Sequence, residues 1–312
     1  MKGLLLVDKP SGPTSHDLVE FVADKEGIEK AGHIGTLDPL AEGLLGILIN
    51  KATKVSQYLV GLDKKYIVEL EFGKETDTLD ISGEVVRTCE LGSVDAGTIE
   101  KKLNQFLGKI KQKPPKYSAI KKEGKKLYEY AENDKQVEIE PRDVEIYEAD
   151  LLEFGSQENK AKIELHCSSG TYTRSLVRDL GRALDSCAVQ TGLKRTRIGE
   201  FGLSDAYSKD EIRQMNSDEF AQALVNLNEA LSFYPQAVIK PQAERFAKNG
   251  TPLRVKNFKQ LPENISENET TQIVDKEGNL LALGEFSEDS QDIDTRNPER
   301  EMFEFETVLE TS

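Results

Sequence analysis

The stretch GHIGTLDPLAEGLL at residues 32–45 places one aspartate, Asp38, among glycine, proline and aliphatic residues. Gly35 and Gly43 permit backbone angles that are closed to other residues, and Pro39 restricts the chain directly after the aspartate. The apolar run at 44–49 then predicts a buried strand. The pattern therefore indicates a rigid loop that carries a carboxylate up to the core.

Asp38 allows two interpretations. Asp followed by Pro is common in ordinary turns, so the residue can be purely structural. Alternatively, Asp38 is a nucleophile or general base near apolar walls, which would need a cationic partner. The segment SGTYTRSLVRDLGR at 169–182 supplies one, since its helical pattern places Arg174 in the first turns. An arginine at the positive end of a helix dipole itself needs an anion, and Asp38 is the predicted one.

Six patterns in this chain, taken together, resemble the TruB-type tRNA pseudouridine synthases in order and spacing. The resemblance runs from Gly3 to Phe201. It implies isomerisation of a uridine in the T-loop of tRNA, at tRNA position 55, to pseudouridine without a cofactor. The patterns are HxGTLDPxAxGLL at 33–45, KY at 65–66, TDTxDxxG at 76–83, PPxYSAxK at 114–121, GTYxRSL at 170–176 and LxRT at 193–196.

The resemblance also implies roles for single residues. Asp38 matches the family's essential aspartate, and Tyr66 matches a tyrosine that stacks on the target uracil and is a candidate base for the ribose C2′ proton. Lys9 and Pro10 match a segment that supports the catalytic loop. The implied catalytic residues are Asp38, Tyr66 and Arg174, and the implied substrate-binding residues are His33, Tyr66, Tyr172 and Leu193, the last through its backbone.

The chemistry of the reaction suits one ionised carboxylate. Exchanging the bond between a base and its ribose requires that the base leave the stack. A carboxylate such as Asp38 can then attack C1′, attack the uracil ring or remove the C2′ proton. Without the resemblance, Tyr66 and Leu193 would be assigned to the core and His33 to a structural role.

Composition agrees with a globular RNA-modifying enzyme. The chain has 312 residues, 37% hydrophobic and 31% charged, which predicts about two domains. The apolar run at 3–7 is too short for a signal peptide or membrane span, so we expect a cytoplasmic protein. Three cysteines without a CxxC pair and three histidines predict neither a zinc site nor a disulfide framework, and we expect no metal and no cofactor.

Net charge is the feature that fits RNA binding least, because the chain carries −15. The acidity is concentrated late: residues 1–200 have 30 basic and 34 acidic side chains, and 201–312 have 11 and 22. Residues 101–126 have ten lysines and the single acid Glu123, which suits phosphate contact. We expect a monomer that binds the T stem-loop of tRNA, with no membrane and no protein partner. A second basic cluster is predicted from Arg174, Arg178, Arg182, Lys194, Arg195 and Arg197.

The hydrophobic periodicity predicts an α+β protein with a largely antiparallel central sheet and a cleft. We expect a catalytic domain at 1–235 and a small β-rich, PUA-like domain at 236–312, in which the acidic stretch 284–306 serves mainly as a solubilising tail or cap. Predicted helices are 14–23, capped by Thr14 or Ser15, 54–60, 98–107, 127–131 and 171–184; predicted strands are 4–7, 44–49, 66–72, 84–87, 137–140, 144–154 and 160–167.

Three other functions remain open at this point. A non-catalytic protein that binds or folds tRNA would use the same cleft and lysines. A glycoside hydrolase needs two facing acids, which Asp77 or Asp80 would have to complete, although their spacing fits a capped turn better. An RNA-guided relative would share the Asp38 loop, but it would typically bring basic extensions and partner proteins.

Overall fold

The computed structural model describes residues 1–117, 139–262, 264–293 and 296–309, together with the backbone of 121–122 and 125–126. The predicted helix at 127–131, and residues 137–138 of a predicted strand, lie outside this part of the chain. The helices in the described part are α1 (Ser15–Ala23), α2 (Ser56–Val60), α3 (Ala96–Leu103), α4 (Thr173–Ala183), α5 (Lys209–Gln214), α6 (Ser217–Gln222), α7 (Leu227–Ala230) and α8 (Glu244–Lys248).

The strands include those predicted at 4–7, 44–49, 66–72, 84–87, 144–154 and 160–167, and most of these begin earlier or end later than predicted. They are β1 (Gly3–Lys9), β2 (Ala31–His33), β3 (Glu42–Ile49), β4 (Lys64–Phe72), β5 (Lys74–Thr76), β6 (Val85–Thr88), β7 (Gly108–Gln112), β8 (Lys121–Lys122), β9 (Lys125–Lys126), β10 (Arg142–Gly155), β11 (Lys160–Cys167), β12 (Ala188–Ile198), β13 (Phe201–Gly202), β14 (Tyr207–Ser208), β15 (Gln236–Ile239), β16 (Leu253–Arg254), β17 (Phe258–Gln260), β18 (Thr270–Val274), β19 (Leu280–Phe286) and β20 (Glu301–Val308).

The central sheet has the order β14-β1-β3-β12-β4-β11-β10-β7, with β2 and β13 paired at its side. Its pairs are antiparallel except β1 with β14 and β3 with β12. The predicted α+β class with a largely antiparallel sheet is therefore confirmed. The parallel contact between β3 and β12 brings the chain after the Asp38 loop next to residues 194–195, which is where the site is assembled.

Helices cover this sheet on the faces that their apolar residues select. Leu18 and Val22 of α1 pack on β1 and β3, whereas Leu176 and Leu180 of α4 pack on β4 and β11. Thr14 is the N-cap of α1, in a capping box with Asp17. The predicted helix at 54–60 begins as a 3-10 turn at 50–55, and the one at 98–107 ends as a 3-10 turn at 104–106.

The C-terminal region forms a second sheet in the order β16-β20-β19-β18-β15-β17. A β-rich C-terminal unit is thus present, whereas its PUA-like character and the boundary between residues 235 and 236 stay predictions. The interpretation of 284–306 as a tail is wrong. Met302 and Phe303 are buried in the core of this sheet, whereas Glu301, Glu304 and Glu306 of β20 are exposed.

The two sheets share one apolar contact region. Leu4 and Leu44 of the central sheet belong to the same buried cluster as Val274 and Leu280 of the second sheet. The hydroxyl of Tyr58 at the end of this region lies 3.0 Å from Thr307 Oγ1. Among the described residues, no helix is both long and apolar enough to cross a membrane.

The cysteines correct a second prediction, because Cys89 and Cys187 form a disulfide. They lie 98 residues apart in the chain, so their spacing gives no sign of pairing. Backbone hydrogen bonds from Gly73 to Cys187 and from Cys89 to Gly73 bring the end of β6 beside the start of β12. The third cysteine, Cys167, is a buried thiol, and burial raises its pKa to about 12.

Gly43 shows how closely the strands approach at the site. Its φ is +94°, and a Cβ placed there would lie 2.3 Å from the carbonyl oxygen of Arg195. We expect Gly43→Ala to lower the free energy of unfolding by more than about 2 kcal/mol, through backbone strain and steric overlap together. Chemical denaturation measures the change. Gly12→Ala is the control, because Gly12 has φ +111° but open space around it; equal losses for both variants would contradict the prediction.

Candidate active site

The loop that carries Asp38 is fixed through its backbone. The Lys9 ammonium group is fully buried and donates to the carbonyl oxygens of Pro39 (2.9 Å) and Ala41 (2.6 Å). Ser15 Oγ accepts from the backbone N–H of Leu37 (2.8 Å) and donates to its carbonyl (2.9 Å). Burial lowers the pKa of Lys9 to about 8. The predicted support of this loop by Lys9 is confirmed.

Asp38 contacts Arg174 directly. Arg174 Nη2 lies 2.8 Å from Asp38 Oδ2, so the predicted ion pair is confirmed. Arg174 is the second residue of α4, and its side chain is buried, whereas 42% of the Asp38 side chain is exposed. The guanidinium thus approaches from the interior and the carboxylate faces an opening.

Arg174 has partners besides Asp38. Its Nη1 lies 3.3 Å from Asp80 Oδ2 and donates to the carbonyl of Thr78 (3.0 Å), and its Nη2 donates to the carbonyl of Tyr117 (3.2 Å). Two carboxylates therefore share one guanidinium. Sequence reasoning placed Asp80 in a capped turn, where it does accept from Ser82, but missed its contact with Arg174.

Opposing effects act on the Asp38 carboxyl group. Burial raises its pKa, the charge and hydrogen bond of Arg174 lower it, and the nearby charge of Asp80 raises it; the net direction is upward. Lys9 also lowers it. Arg174 is therefore the main group that favours the ionised form of a carboxyl group in a partly desolvated place.

A cavity of about 430 Å³ opens beside this pair. Of the predicted site residues it brings together five, which line its wall. Lys64, Arg195 and the loop 169–171 line it as well. The predicted residues in the wall are Asp38, Tyr66, Tyr172, Arg174 and Leu193.

His33 is the predicted site residue that stands apart from this wall. It ends β2, and its Nδ1 accepts a hydrogen bond from the Gly35 N–H (3.3 Å). Burial, followed by repulsion from Arg195, lowers the pKa of His33, which keeps the ring neutral at pH 7. His33 thus braces the loop two residues away, and its predicted contact with RNA stays a prediction.

The strand register explains which side chains meet at the cavity. In the pair β4 and β12, Tyr66 lies opposite Arg195 and Val68 lies opposite Leu193. The register shifts between 190 and 192 and again between 195 and 197, so irregular backbone flanks Leu193 and Arg195 on both sides. Such bulges redirect side chains next to binding sites.

The predicted second basic cluster is largely wrong. Arg174, Arg178 and Arg195 are buried, so they are not available to a phosphate at the surface. Arg182 pairs with Glu75, whereas Lys194 is exposed. Counting charges in a sequence cannot distinguish buried from exposed arginines. The two-residue spacing of Leu193 and Arg195 along a strand, by contrast, does indicate that both side chains lie on one face of the sheet.

Comparisons with known proteins agree with this geometry. A family model described as TruB family pseudouridylate synthase, N terminal domain, matches residues 24–173. A tRNA pseudouridine synthase B of Pseudomonas fluorescens is 36% identical over 295 residues, which are 93% of this chain and 93% of that protein. The chain belongs to the TruB family.

Other members and solved structures agree with this assignment. A tRNA pseudouridine synthase B of Caldanaerobacter subterraneus is 45% identical over 215 residues, which are 68% of this chain and 74% of that TruB protein. A chain of the archaeal box H/ACA sRNP Nop10-Cbf5 complex has a TM-score of 0.76 at 24% identity, covering 99% of this chain and 86% of its own, and so shares the fold.

We expect Arg174→Gln to raise the pKa of Asp38 further, because it removes the charge that favours the carboxylate. Carbon-13 NMR titration of aspartate carboxyl groups, with the resonance assigned through Asp38→Asn, measures the shift. Arg182→Gln, on the same helix but paired with Glu75, is the control. An unchanged Asp38 titration in Arg174→Gln would contradict this account.

Proposed function

We propose that this protein isomerises uridine to pseudouridine at position 55 in the T-loop of tRNA. The observation that carries the proposal is the Asp38 carboxylate, bound to Arg174 at 2.8 Å, in the wall of a cavity that Tyr66 also lines. Relatives that cover most of the chain are named tRNA pseudouridine synthase B, which supports the substrate and the reaction.

The cavity suits one everted nucleotide. Its volume of about 430 Å³ accommodates a base with its ribose, and no paired base could reach Asp38 inside a duplex. The ring of Tyr66 in the wall offers a stacking surface for uracil. In this proposal Leu193 contacts the uracil edge through its backbone, and Tyr172 and His33 contact the substrate strand.

The reaction needs no group from outside the chain. The bond from C1′ to N1 breaks, a bond from C1′ to C5 forms, and the proton leaves C5 while N1 gains one, so the product has the composition of the substrate. Asp38 acts as nucleophile at C1′ or on the uracil ring, or as base at C2′. Arg174 keeps that carboxylate ionised and oriented, and Tyr66 is a second candidate base at C2′.

The lysine-rich segment, which is the described part of residues 101–126, supplies a surface beside the cavity that can bind the phosphates of RNA. The carbonyl of Lys113 accepts hydrogen bonds from Ser175 (2.8 Å) and Arg178 (3.3 Å), so this segment lies against the start of α4. In this proposal the T stem-loop is bound there by a monomer in the cytoplasm, without a protein partner or cofactor. The exposed lysines of this segment in the described part of the chain are Lys101, Lys109, Lys111, Lys113 and Lys116.

The decisive experiment replaces Asp38. We expect Asp38→Asn to bind an unmodified tRNA transcript like the parent protein but to form pseudouridine more than about a hundredfold more slowly, because the amide is neither nucleophile nor base. Carbodiimide mapping of the product locates the modified position. Asp77→Asn, an exposed aspartate of the hairpin between β5 and β6, is the control and should remain active.

The results of this experiment decide between an enzyme and a protein that only binds or folds tRNA. Modification at position 55 by the parent protein and not by Asp38→Asn supports the enzyme. A parent protein that binds tRNA without forming pseudouridine would instead favour the tRNA-binding or folding protein. Full turnover by pure Asp38→Asn would overturn the role of Asp38.

We also expect tRNA affinity to fall steeply with salt, because exposed lysines displace counterions from phosphates. Lys113→Ala should reduce the magnitude of the slope of log K against log salt by about one. Fluorescence anisotropy over a salt series measures it. Lys276→Ala, in the turn after β18, is the control and should leave the slope unchanged. A flat response of the parent protein would show that the lysines do not contact phosphates.

A further inference from the structure

Arg195 carries a buried guanidinium that donates hydrogen bonds to three neutral backbone carbonyls. Arg195 is only 1% exposed. Its Nε donates a hydrogen bond to the carbonyl oxygen of Leu44 (2.7 Å). Nη2 donates to the carbonyl of Gly35 (3.0 Å) and Nη1 to that of Thr36 (3.5 Å). Within the described part of the chain no carboxylate pairs with it, in contrast to Arg174. A buried cation without a counter-ion is costly, so its charge requires an explanation.

The position of Arg195 in the sheet supplies that explanation. Arg195 on β12 lies directly opposite Tyr66 on β4, and both side chains line the same cavity. Directly opposed side chains of neighbouring strands are in contact range. Gly35 and Thr36, the other partners of Arg195, lead directly to Asp38. One guanidinium therefore binds the loop of the aspartate and lies beside the tyrosine of the cavity.

We propose that Arg195 is a positioning residue, which fixes the hydroxyl of Tyr66 relative to the Asp38 loop and stabilises negative charge on the Tyr66 oxygen. The importance of this arrangement for catalysis rests on the proposed uridine isomerisation. The placement of Arg195 beside Tyr66 is independent of that function. Arg195 acts through Tyr66 and the loop, because its own exposure is too small for contact with a substrate phosphate.

The electrostatics around Tyr66 agree with this role. Burial raises the pKa of the Tyr66 phenol, and the charge of Arg195 opposes the rise. Cys167 on β11 and Asp38 raise it further, while Lys64 and Arg174 are the other cations of the same wall. Arg195 is thus the neighbouring cation that favours the phenolate of Tyr66.

The shape of arginine matters as well as its charge. A planar guanidinium presents donors in fixed directions, whereas an ammonium group is a single point. Arg195 uses those directions to donate to the carbonyls of Leu44 of β3 and Gly35 of the loop, while it lies opposite Tyr66 of β4. Lysine at this position would keep a charge but could not reach all of them.

The first experiment measures the ionisation of Tyr66 directly. The nine tyrosines are replaced by 3-fluorotyrosine, which brings phenol titration into a range where the fold persists, and the Tyr66 fluorine resonance is assigned through Tyr66→Phe. We expect Arg195→Met to move the titration midpoint up by about one pH unit. Arg195→Lys should move it less. Arg197→Met, two residues along β12 and paired with Asp63, is the control.

The second experiment measures catalysis as a double-mutant cycle. We expect Arg195→Met to lower kcat on tRNA more than about tenfold with unchanged affinity, and to have little further effect in the Tyr66→Phe background. Chemical rescue of Arg195→Ala by methylguanidine is expected to restore part of the rate. Arg195→Lys is measured in parallel, because it retains the charge if Arg195→Met does not fold.

The outcomes separate this inference from the proposed function. A Tyr66 midpoint that is unchanged in Arg195→Met, or in Arg195→Lys if only that variant folds, overturns the inference. Independent, multiplicative effects of the Arg195 and Tyr66 substitutions on kcat would also overturn it. A parent protein without any pseudouridine formation overturns the proposed function instead, while the fluorine titration still decides whether Arg195 acts on Tyr66.

Discussion

The ion pair between Asp38 and Arg174 is the contact on which the site depends. Arg174 also contacts Asp80 and Thr78 of the β5–β6 hairpin and the carbonyl of Tyr117. One buried guanidinium thereby joins the aspartate loop, the hairpin, the end of the described lysine-rich segment and the first turn of α4. A fork of several donors can do this, because each N–H has a defined direction.

A second constraint is that the aspartate loop is bound by its backbone rather than by its side chains. Lys9, Ser15 and Arg195 reach the loop from three elements and contact its carbonyl oxygens. The Asp38 side chain is therefore left to Arg174 and the cavity. Lys9 is a cation in a desolvated place, and its charge offsets part of the burial that raises the pKa of Asp38.

The predictions that succeeded rest on short-range chemistry. The capping box of α1, the alternation of β4 and the unfavourable charge of Arg174 in a first helical turn are all visible within a few residues. Those that failed required knowledge of burial or of distant neighbours. Arg195 was assigned to a phosphate surface although it is buried. Cys89 and Cys187 pair only because β6 and β12 are brought together.

The sequence by itself determined the class of fold through its hydrophobic periodicity, which is a property of the chain. The order and spacing of its motifs determined the resemblance to a family in which Asp38, Tyr66 and Arg174 match the reactive positions. Only the tertiary structure decided that Arg195 faces Tyr66, that Asp80 shares Arg174 and that the acidic C-terminal stretch forms strands. These facts depend on strand order and register. Both are set by packing between segments far apart in the chain, which local periodicity does not encode.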